Sequence, residues 1–364
     1  MEMLELNGFG GAYRDRRILV TGHTGFKGSW LSLWLDALGA HVSGLALDPP
    51  SEPNHWTMLG LPIGDYRRDI RNAHAVNAVV ADQRPEIVFH LAAQSLVRRS
   101  YQEPLDTWAT NVMGTVNVLE AARRTSGVKA VVIVTTDKCY ENRESHSAYS
   151  ENDRLGGHDP YSASKAGAEL AAASYRSAFF DTTDGALIAS ARGGNVVGGG
   201  DWSQDRLIPD LVRSLVAGEP LIIRSPRATR PWQHVLDCLS GYLQLGQRLA
   251  EGDRRFAQAW NFGPNASGNH TVDDVLADLQ RDLPQSHWQV TADPQPHEAG
   301  LLQIDSAKAR SQLGWQPVWD YKRAIHHTAV WYRKWLESGE VTSRAQLAGY
   351  CADASAAGAP WAMS

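Results

Sequence analysis

The stretch Thr21-Gly22-His23-Thr24-Gly25-Phe26-Lys27-Gly28 directly follows the apolar run Ile18-Leu19-Val20 and leads into the helical pattern of Ser29-Trp30-Leu31. Glycines spaced three residues apart at a strand-to-helix turn let the backbone approach a pyrophosphate, whose charge amide N–H groups at the helix start can hold. The alternative is a tight turn that only packs a helix on a sheet. Because a strand precedes it and a helix follows, the stretch predicts a dinucleotide site. The candidate cofactor residues in it are Gly22, Thr24, Gly25, Phe26, Lys27 and Gly28.

Short apolar runs alternate with stretches of helical period from about residue 16 to residue 195. The runs are almost continuously hydrophobic, as in strands that are buried on both faces of a sheet. They are Ile18-Leu19-Val20, Val42 to Leu47, Ile87 to Leu91, Val131 to Val134 and Ala186 to Ala189. The helical stretches between them are Trp30 to Leu38, Ala73 to Val80, Val112 to Ala122 and Ala163 to Phe180. This alternation predicts an α/β fold with a doubly wound parallel sheet of Rossmann type.

The texture changes beyond Gly193 to loops rich in Gly and Pro with shorter helices, such as Pro209 to Val216, His234 to Leu249 and Val272 to Leu283. We therefore expect a dinucleotide-binding domain over residues 1–192 and a smaller mixed α/β substrate domain over residues 193–364, between which the chain can cross more than once. The Ala- and Gly-rich segment from about residue 340 is expected to be poorly ordered.

Composition narrows the class of protein. The chain has 364 residues, is 43% hydrophobic and carries a net charge of −5, so it has no basic excess for nucleic acid. Neither a secretion signal nor an apolar stretch approaching the roughly 18 residues of a membrane span is apparent. Its three widely separated cysteines, Cys139, Cys238 and Cys351, fit a reducing compartment, and we expect a cytoplasmic protein. The spacing of His and Cys predicts no metal site.

Acidic residues after the second and third predicted strands are candidate adenosine contacts. Asp48 ends the second strand, twenty residues after Gly28, where a carboxylate can accept hydrogen bonds from the ribose. No Lys or Arg occurs between Ser43 and Trp56 to bind a 2′-phosphate, which favours NAD over NADP. Asp48 is alternatively a turn residue before Pro49-Pro50. Asp69-Ile70 lies after the third strand and could contact the adenine or begin a helix.

Tyr161 and Lys165 are four residues apart at the start of a helical stretch, so their side chains share one face. An ammonium beside a phenol can lower its pKa and let it act as a base near neutrality, which is chemistry suited to alcohol oxidation. Thr136, at the end of the preceding strand, is placed to hold the substrate oxygen. The alternative is an ordinary amphipathic helix with an exposed lysine.

Asp137 and Lys138 form a second acid/base couple directly after Thr136. Hydride transfer alone does not need such a couple, so the pair indicates a further proton-transfer step. An Asp⁻/Lys⁺ pair becomes an acid and a base when one proton moves between them. Glu141 is a rival base, and a surface ion pair beside a turn is the alternative without chemistry.

Several of these strings resemble the extended short-chain dehydrogenase/reductase family, and within it the nucleotide-sugar 4,6-dehydratases. The matches extend over most of the chain: Thr21 to Gly28, Phe89 to Gln94, Asn111, Thr136-Asp137, Tyr161 to Lys165 and Ala191 to Gly198. The strings most similar to the members that act on CDP-glucose are Gly25 to Leu31, Thr136 to Tyr140, Gly199 to Trp202 and Arg230 to Val235.

The resemblance implies a bound NAD that takes a hydride from C4 of the sugar and returns it to C6 after water is lost across C5 and C6. The product would be CDP-4-keto-6-deoxy-D-glucose, for deoxysugar and O-antigen synthesis. The alternatives are a nucleotide-sugar C4 epimerase, which has no use for Asp137 and Lys138, and a dehydratase for another nucleotide-sugar. A noncatalytic NAD-binding sensor and a reductase that consumes free NADH are more distant alternatives.

The resemblance also implies individual roles. Tyr161 is the base for the 4-hydroxyl, Lys165 binds the nicotinamide ribose, and Asp137 is the acid for the departing C6 hydroxyl. Lys138 stands where the wider group has a glutamate, the presumed C5 base. Further contacts are implied for the cofactor by Leu91, Ala92 and Ala93, for the hexose by Gln94 and Ser95, and for the diphosphate by Asn195, Arg206 and Arg230. A homodimer or homotetramer through the helices around residues 112–122 and 163–180 is also implied.

Overall fold

The computed structural model of the chain describes residues 4–144, 147–182, 185–265, 268–291 and 301–363. The strands are β1 (Arg17–Thr21), β2 (His41–Ala46), β3 (Gly64–Arg67), β4 (Ile87–His90), β5 (Ala130–Thr136), β6 (Leu187–Gly193), β7 (Asn195–Val197), β8 (Leu221–Ile223), β9 (Thr229–His234), β10 (Ala259–Phe262), β11 (Asn269–Thr271) and β12 (Trp288–Val290). The helices are α1 (Phe26–Ala37), α2 (His55–Leu59), α3 (Ala73–Gln83), α4 (Val97–Gln102), α5 (Pro104–Trp108), α6 (Gly114–Arg124), α7 (Pro160–Phe179), α8 (Leu207–Ala217), α9 (Val235–Ala250), α10 (Val272–Asp282), α11 (Tyr321–Ser338) and α12 (Ser343–Ala356).

A parallel sheet of seven strands, in the order β10-β6-β5-β4-β1-β2-β3, forms the centre of the fold. Its inner strands are largely apolar because both faces of the sheet are covered, and every residue of β5 is buried. The strand order reverses between β1 and β4, which opens a crevice at the carboxyl ends of these strands. The predicted doubly wound α/β fold is confirmed.

Two layers of helices cover the sheet and bury separate cores. On one face, Trp30 and Leu33 of α1 pack with Leu239 and Tyr242 of α9. On the other face, side chains of α3, α6 and α7 pack on the alternate residues of the same strands. Successive strand residues point to opposite faces, so one continuous apolar run supplies both cores. The sheet is thereby fixed rigidly beneath the crevice.

The chain beyond residue 193 builds smaller sheets and also returns to the large one. Strand β9 pairs with β7 in parallel and with β11 antiparallel, while β8 pairs with β12. Strand β10 joins the edge of the large sheet beside β6, and α9 packs on its face. Segments that follow residue 193 therefore contribute both to the large sheet and to the smaller sheets outside it.

The C-terminal segment differs from the expected poorly ordered tail, and that expectation was wrong. Helix α12 buries Leu347, Tyr350 and Ala354. The ring of Trp361 stacks on Phe9, with ring centres 4.9 Å apart. The alanines and glycines of this segment let the helix pack closely, while its few aromatic side chains supply the buried apolar area that holds it to the core.

None of the helices in the described parts of the chain is long and apolar enough to cross a membrane.

Candidate active site

A cleft of about 880 Å³ lies at the carboxyl ends of β1, β2, β4, β5 and β6, facing the loops and helices that follow residue 193. With the exception of the rival base Glu141, every residue predicted from the sequence to contact cofactor or substrate, or to carry the chemistry, lines this cleft. The fold therefore brings together side chains from strand ends that are far apart in the sequence. Their individual roles stay predictions.

The glycine turn has the backbone form that its spacing predicts. Gly22 has a φ of +76°, and a Cβ there would lie 2.7 Å from the backbone nitrogen of Ala92. A Cβ on Gly28 would lie 2.0 Å from the carbonyl oxygen of Gly22. The turn is thus closed by two contacts that only glycine permits, and it delivers the chain directly into α1. The first turn of α1 contains no acidic side chain, so the positive end of its dipole is available to a phosphate.

The acidic residues expected near the adenosine lie at the same end of the cleft. The Asp48 side chain is exposed and lies 3.9 Å from Nη1 of Arg67. The carboxylate of Asp69 accepts hydrogen bonds from Arg71, and these bonds lower its pKa. A basic side chain that lies outside residues 43–56 also reaches this place, because the pairing of β2 with β3 puts Arg67 opposite Ala46. Arg67 is held by Asp65 at 2.7 Å and by the carbonyl oxygen of Leu47.

Tyr161 and Lys165 lie buried in the middle of the cleft, on the first turns of α7. Lys165 donates to the carbonyl oxygen of Val134 at 3.2 Å, which ties its ammonium to the end of β5. Burial lowers the pKa of Lys165 to about 8. Burial also raises the pKa of Tyr161 to about 12, against the lowering expected from its lysine neighbour. A hydrogen bond with Thr136 and then the charge of Arg206 oppose this rise, because both stabilise the phenolate.

Asp137 is buried beside these groups. Its Oδ1 accepts a hydrogen bond from the Thr136 hydroxyl at 3.0 Å, and its Oδ2 has no hydrogen-bond partner among the described residues. Burial raises the pKa of Asp137, and the charge of Lys138 is the largest of the influences that oppose the rise. A carboxyl group in this setting retains its proton more readily than one in water, as an acid catalyst requires.

Lys138 and Glu141, the two candidate C5 bases, differ in their position relative to the cleft. Lys138 is half-buried and lines the cleft, one residue beyond Asp137. Glu141 is not among the residues that line the cleft, and its carboxylate lies 3.2 Å from Arg154. Of the two candidate C5 bases, only Lys138 therefore faces the space that holds Tyr161.

The candidate diphosphate residues approach the cleft from the opposite wall. Arg206, just before α8, lies 3.0 Å from Asp201 and 3.4 Å from the Ser95 hydroxyl across the cleft. Arg230 is buried on β9, and Asn195 begins β7. Two guanidinium groups in one wall provide planar donors that suit a diphosphate.

Gln94, a candidate contact for the hexose, is also held in place by hydrogen bonds to neighbouring segments. Its side-chain nitrogen donates to Thr107 at 2.9 Å and to the carbonyl oxygen of Leu96 at 3.0 Å. Its backbone nitrogen donates to Oδ1 of Asn111, and the side-chain nitrogen Nδ2 of Asn111 donates to the Ser164 hydroxyl on α7. Gln94 thus fixes the loop after β4 against α7 and lines the cleft at the same time.

Lys27 was predicted as a cofactor contact, but three other charged cleft residues were not found from the sequence. The side chain of Lys27 extends from the glycine turn to Tyr242, 3.5 Å from its hydroxyl, and its charge opposes the raised pKa of Asp137. Arg98, Asp205 and Arg224 meet at another part of the cleft. They lie on elements far apart in the sequence, so no local spacing signals their meeting. Among the described residues, no group of three or more His, Cys, Asp or Glu side chains could hold a metal ion.

Residues 19–328 match the family model described as GDP-mannose 4,6 dehydratase. The chain belongs to this family. The chain is also similar to individual members of the GDP-mannose 4,6 dehydratase family. It is 44% identical over 349 residues to a curated CDP-glucose 4,6-dehydratase of Salmonella typhimurium, and the match covers 93% of this chain and 97% of the relative. A dTDP-glucose 4,6-dehydratase of Streptomyces antibioticus is 32% identical over 73% of this chain and 75% of its own.

Solved structures of the same fold include enzymes related to this family. A dTDP-glucose 4,6-dehydratase from Streptomyces venezuelae, solved with NAD bound, superposes with a TM-score of 0.75 at 27% identity, covering 87% of this chain and 97% of that one. A UDP-glucose 4-epimerase from Thermus thermophilus, in complex with NAD, has a TM-score of 0.75 at 24% identity, covering 87% and 99%. At that identity, the second likeness bears on the fold alone.

Proposed function

We propose that the protein is an NAD-dependent hydro-lyase that converts CDP-D-glucose to CDP-4-keto-6-deoxy-D-glucose. The observation that carries the proposal is the position of Asp137, a buried carboxyl with a raised pKa in the same cleft as Tyr161 and Lys165. A C4 epimerase has no step that consumes a proton donor there. The 44% identity to a CDP-glucose 4,6-dehydratase supports the choice of nucleotide.

The cofactor site fits a dinucleotide by the chemistry of its donors. The glycine turn and the first turn of α1 would bind the pyrophosphate, Asp48 the ribose, and Lys165 the nicotinamide ribose. When bound, NAD supplies a reversible hydride acceptor that takes the C4 hydride and returns it to C6. No reductant is consumed overall.

The proton transfers fall to this chain's own residues. Tyr161 removes the proton of the 4-hydroxyl, with Thr136 holding both that oxygen and the phenol. A ketone at C4 makes the C5 proton acidic, and Lys138 removes it in the form of the coupled pair in which Asp137 holds the shared proton and the Lys138 amine is neutral. Asp137 donates its proton to the C6 hydroxyl, which departs as water, and Lys138 later returns a proton to C5. Each transfer is made by a group that lines the cleft.

The test is to incubate the purified protein with CDP-, dTDP-, UDP- and GDP-glucose in heavy water and to analyse products by mass spectrometry and proton NMR. We expect CDP-glucose to be preferred, with loss of one water and incorporation of one solvent deuterium at C5. A C4-inverted sugar with its water retained would indicate an epimerase. Preference for another nucleotide would assign a different substrate to the same chemistry.

We further propose that a second copy of the chain covers exposed apolar side chains on α5, on α7 and on the π-helical segment Ala109–Met113 between α5 and α6. The dimer surface is defined here by Leu105, Trp108, Met113, Leu170 and Phe179. Leu105 on α5 is 85% exposed and Leu170 on α7 is 61% exposed, so large apolar side chains face solvent on neighbouring helices. Met113, Leu170 and Phe179 fall within the ranges around residues 112–122 and 163–180 that the family resemblance implies for assembly, as a dimer or as two such dimers, and α5 extends this surface.

The unpaired cysteines support a cytoplasmic location. Cys139, Cys238 and Cys351 are all free, as in a reducing compartment. A cytoplasmic enzyme making an activated 4-keto-6-deoxy sugar fits deoxysugar biosynthesis, including that of O-antigen.

A further inference from the structure

Three charged side chains meet in the cleft away from the glycine turn, and we call them the Asp205 cluster: Asp205, Arg98 and Arg224. Oδ1 of Asp205 lies 3.1 Å from Nη2 of Arg224 and 3.6 Å from Nε of Arg98. All three side chains are about one-third exposed, so they remain accessible to a ligand in the cleft. The cluster joins α4, on the side of the cleft built before residue 193, to the loops around α8 and β8, on the side built after it.

The backbone at Asp205 is held in an uncommon form. Its φ is +58°, in the left-handed region that a non-glycine residue rarely adopts. Such conformations cost free energy and are found where the surrounding structure needs a side chain in a particular place. Aspartate tolerates this region better than most residues. The turn places the carboxylate between two guanidinium groups.

The position of the cluster relative to Tyr161 follows from Arg206, the next residue in the chain. The charge of Arg206 acts on Tyr161, and Arg206 is the candidate diphosphate ligand. A nucleotide-sugar with its hexose at Tyr161 and its diphosphate at Arg206 continues toward the Asp205 cluster with its base. Ile222 of β8 also lines the cleft and is 51% exposed, which offers an apolar surface to the face of a base.

We propose that the Asp205 cluster reads the base of the substrate: the Asp205 carboxylate accepts a hydrogen bond from the exocyclic amino group of cytosine, and Arg224 donates to the ring nitrogen beside it. This inference deepens the proposed function and rests on it. Arg98, on the other side of the carboxylate, links the two sides of the cleft. The cluster is thus a specificity determinant of the nucleotide site.

The chemistry of the base edges explains the selection. Cytosine presents an amino donor beside the N3 acceptor, whereas uracil and thymine present the O4 acceptor beside an N3–H donor. A carboxylate has only acceptor sites and a guanidinium only donors. Against uracil, the carboxylate would therefore face a carbonyl oxygen, and this mismatch rejects the wrong base.

The test compares binding of CDP and UDP, which differ only in the base edge, to the purified NAD-loaded protein by isothermal titration calorimetry. The wild type is expected to bind CDP more tightly. Asp205→Asn is expected to lower CDP affinity by roughly 5- to 150-fold, the range for one base contact. Its UDP affinity should be unchanged or higher, because the amide can donate to O4. Equal losses for both nucleotides, or an unchanged CDP to UDP ratio, would overturn the proposal.

Two control variants separate base reading from other effects. Arg98→Gln breaks the link between the walls but keeps the carboxylate, so it should weaken CDP and UDP alike. If Arg98→Gln removes the preference as fully as Asp205→Asn, the cluster closes the cleft and does not read the base. Asp253→Asn, in a remote ion pair with Arg255, should leave both affinities unchanged. A wild type that binds neither nucleotide contradicts the proposed function itself, whereas a wild type that binds both equally contradicts only this inference.

Discussion

The Thr136 hydroxyl lies 3.0 Å from Oδ1 of Asp137, and the other oxygen of that buried carboxyl has no hydrogen-bond partner among the described residues. The unpartnered oxygen is therefore available to a substrate hydroxyl. The same threonine also bonds with Tyr161. One side chain at the end of β5 thus joins the group proposed for C4 oxidation to the group proposed for water elimination.

Replacing Asp137 by Asn should remove the proton donor and keep the shape of the site. We expect dehydration to slow by about 10²- to 10⁴-fold, the usual contribution of a general acid. Reduction of bound NAD by substrate should persist, because C4 oxidation does not use Asp137. Rapid-mixing absorbance of the reduced cofactor and NMR of the product measure the two steps. Dehydration at the wild-type rate would contradict the assignment.

Replacing Lys138 by Met should abolish exchange of the C5 proton with solvent while sparing C4 oxidation, because the methionine has no basic nitrogen. Deuterium incorporation in heavy water measures this step. Glu141→Gln is the matched control, since Glu141 pairs with Arg154 and is not among the cleft-lining residues. The assignment is wrong if the Met variant eliminates water normally or if the Gln variant loses exchange.

Replacing Thr136 by Val should shift the pH dependence of kcat/KM. The single Thr136 hydroxyl proton can be donated either to Asp137 or to the Tyr161 oxygen, and either bond lowers the pKa of its acceptor, so loss of the hydroxyl raises the pKa of both groups. A base with a higher pKa needs a higher pH to lose its proton, and the acidic limb of the profile should move up by roughly one pH unit. Thr136→Ser should restore the wild-type profile. An unshifted limb in the Val variant would count against Thr136 as the link between these groups.

Asp237 should make the stability of the fold depend on pH. It accepts hydrogen bonds from the Tyr350 hydroxyl at 2.8 Å and from the Val318 nitrogen at 2.6 Å, and burial raises its pKa from 3.8 to about 7. Between these values the native state binds more protons than the unfolded state, so this group's contribution to stability falls as the pH rises. Denaturant unfolding across this window should show a steeper fall of stability with rising pH in the wild type than in Asp237→Asn, in which only the other titratable groups contribute.

The dimer surface predicts a change of mass on substitution. Leu105→Glu and Leu170→Glu place charges on side chains that the partner would bury, so light scattering should show a smaller assembly than for the wild type. Val216→Glu, on an equally exposed apolar residue of α8, should keep the wild-type mass. A monomeric wild type, or Glu variants of unchanged mass, would refute the proposed surface.

Local spacing was enough to predict the sheet and to name residues that the fold brings into one cleft. The glycine turn and the pair of Tyr161 and Lys165 are short-range patterns, and a parallel sheet brings the residues after successive strands to one edge. The direction of the Tyr161 pKa shift could not be read this way, because it depends on burial by distant segments.

Contacts distant in sequence account for the remaining differences. Arg67 comes near Asp48 only through the register of β2 with β3. The C-terminal segment is ordered through the stacking of Trp361 on Phe9, which its alanine-rich composition does not reveal. The Asp205 cluster likewise draws on elements separated by more than a hundred residues.

The most direct test of the account follows the hydrogen on C4 of the sugar. CDP-glucose carrying deuterium at C4 should give a 4-keto-6-deoxy product with that deuterium at C6, in ordinary water and without added NADH. Deuterium that is lost to solvent, or a product that keeps it at C4, would contradict an intramolecular transfer from C4 to C6.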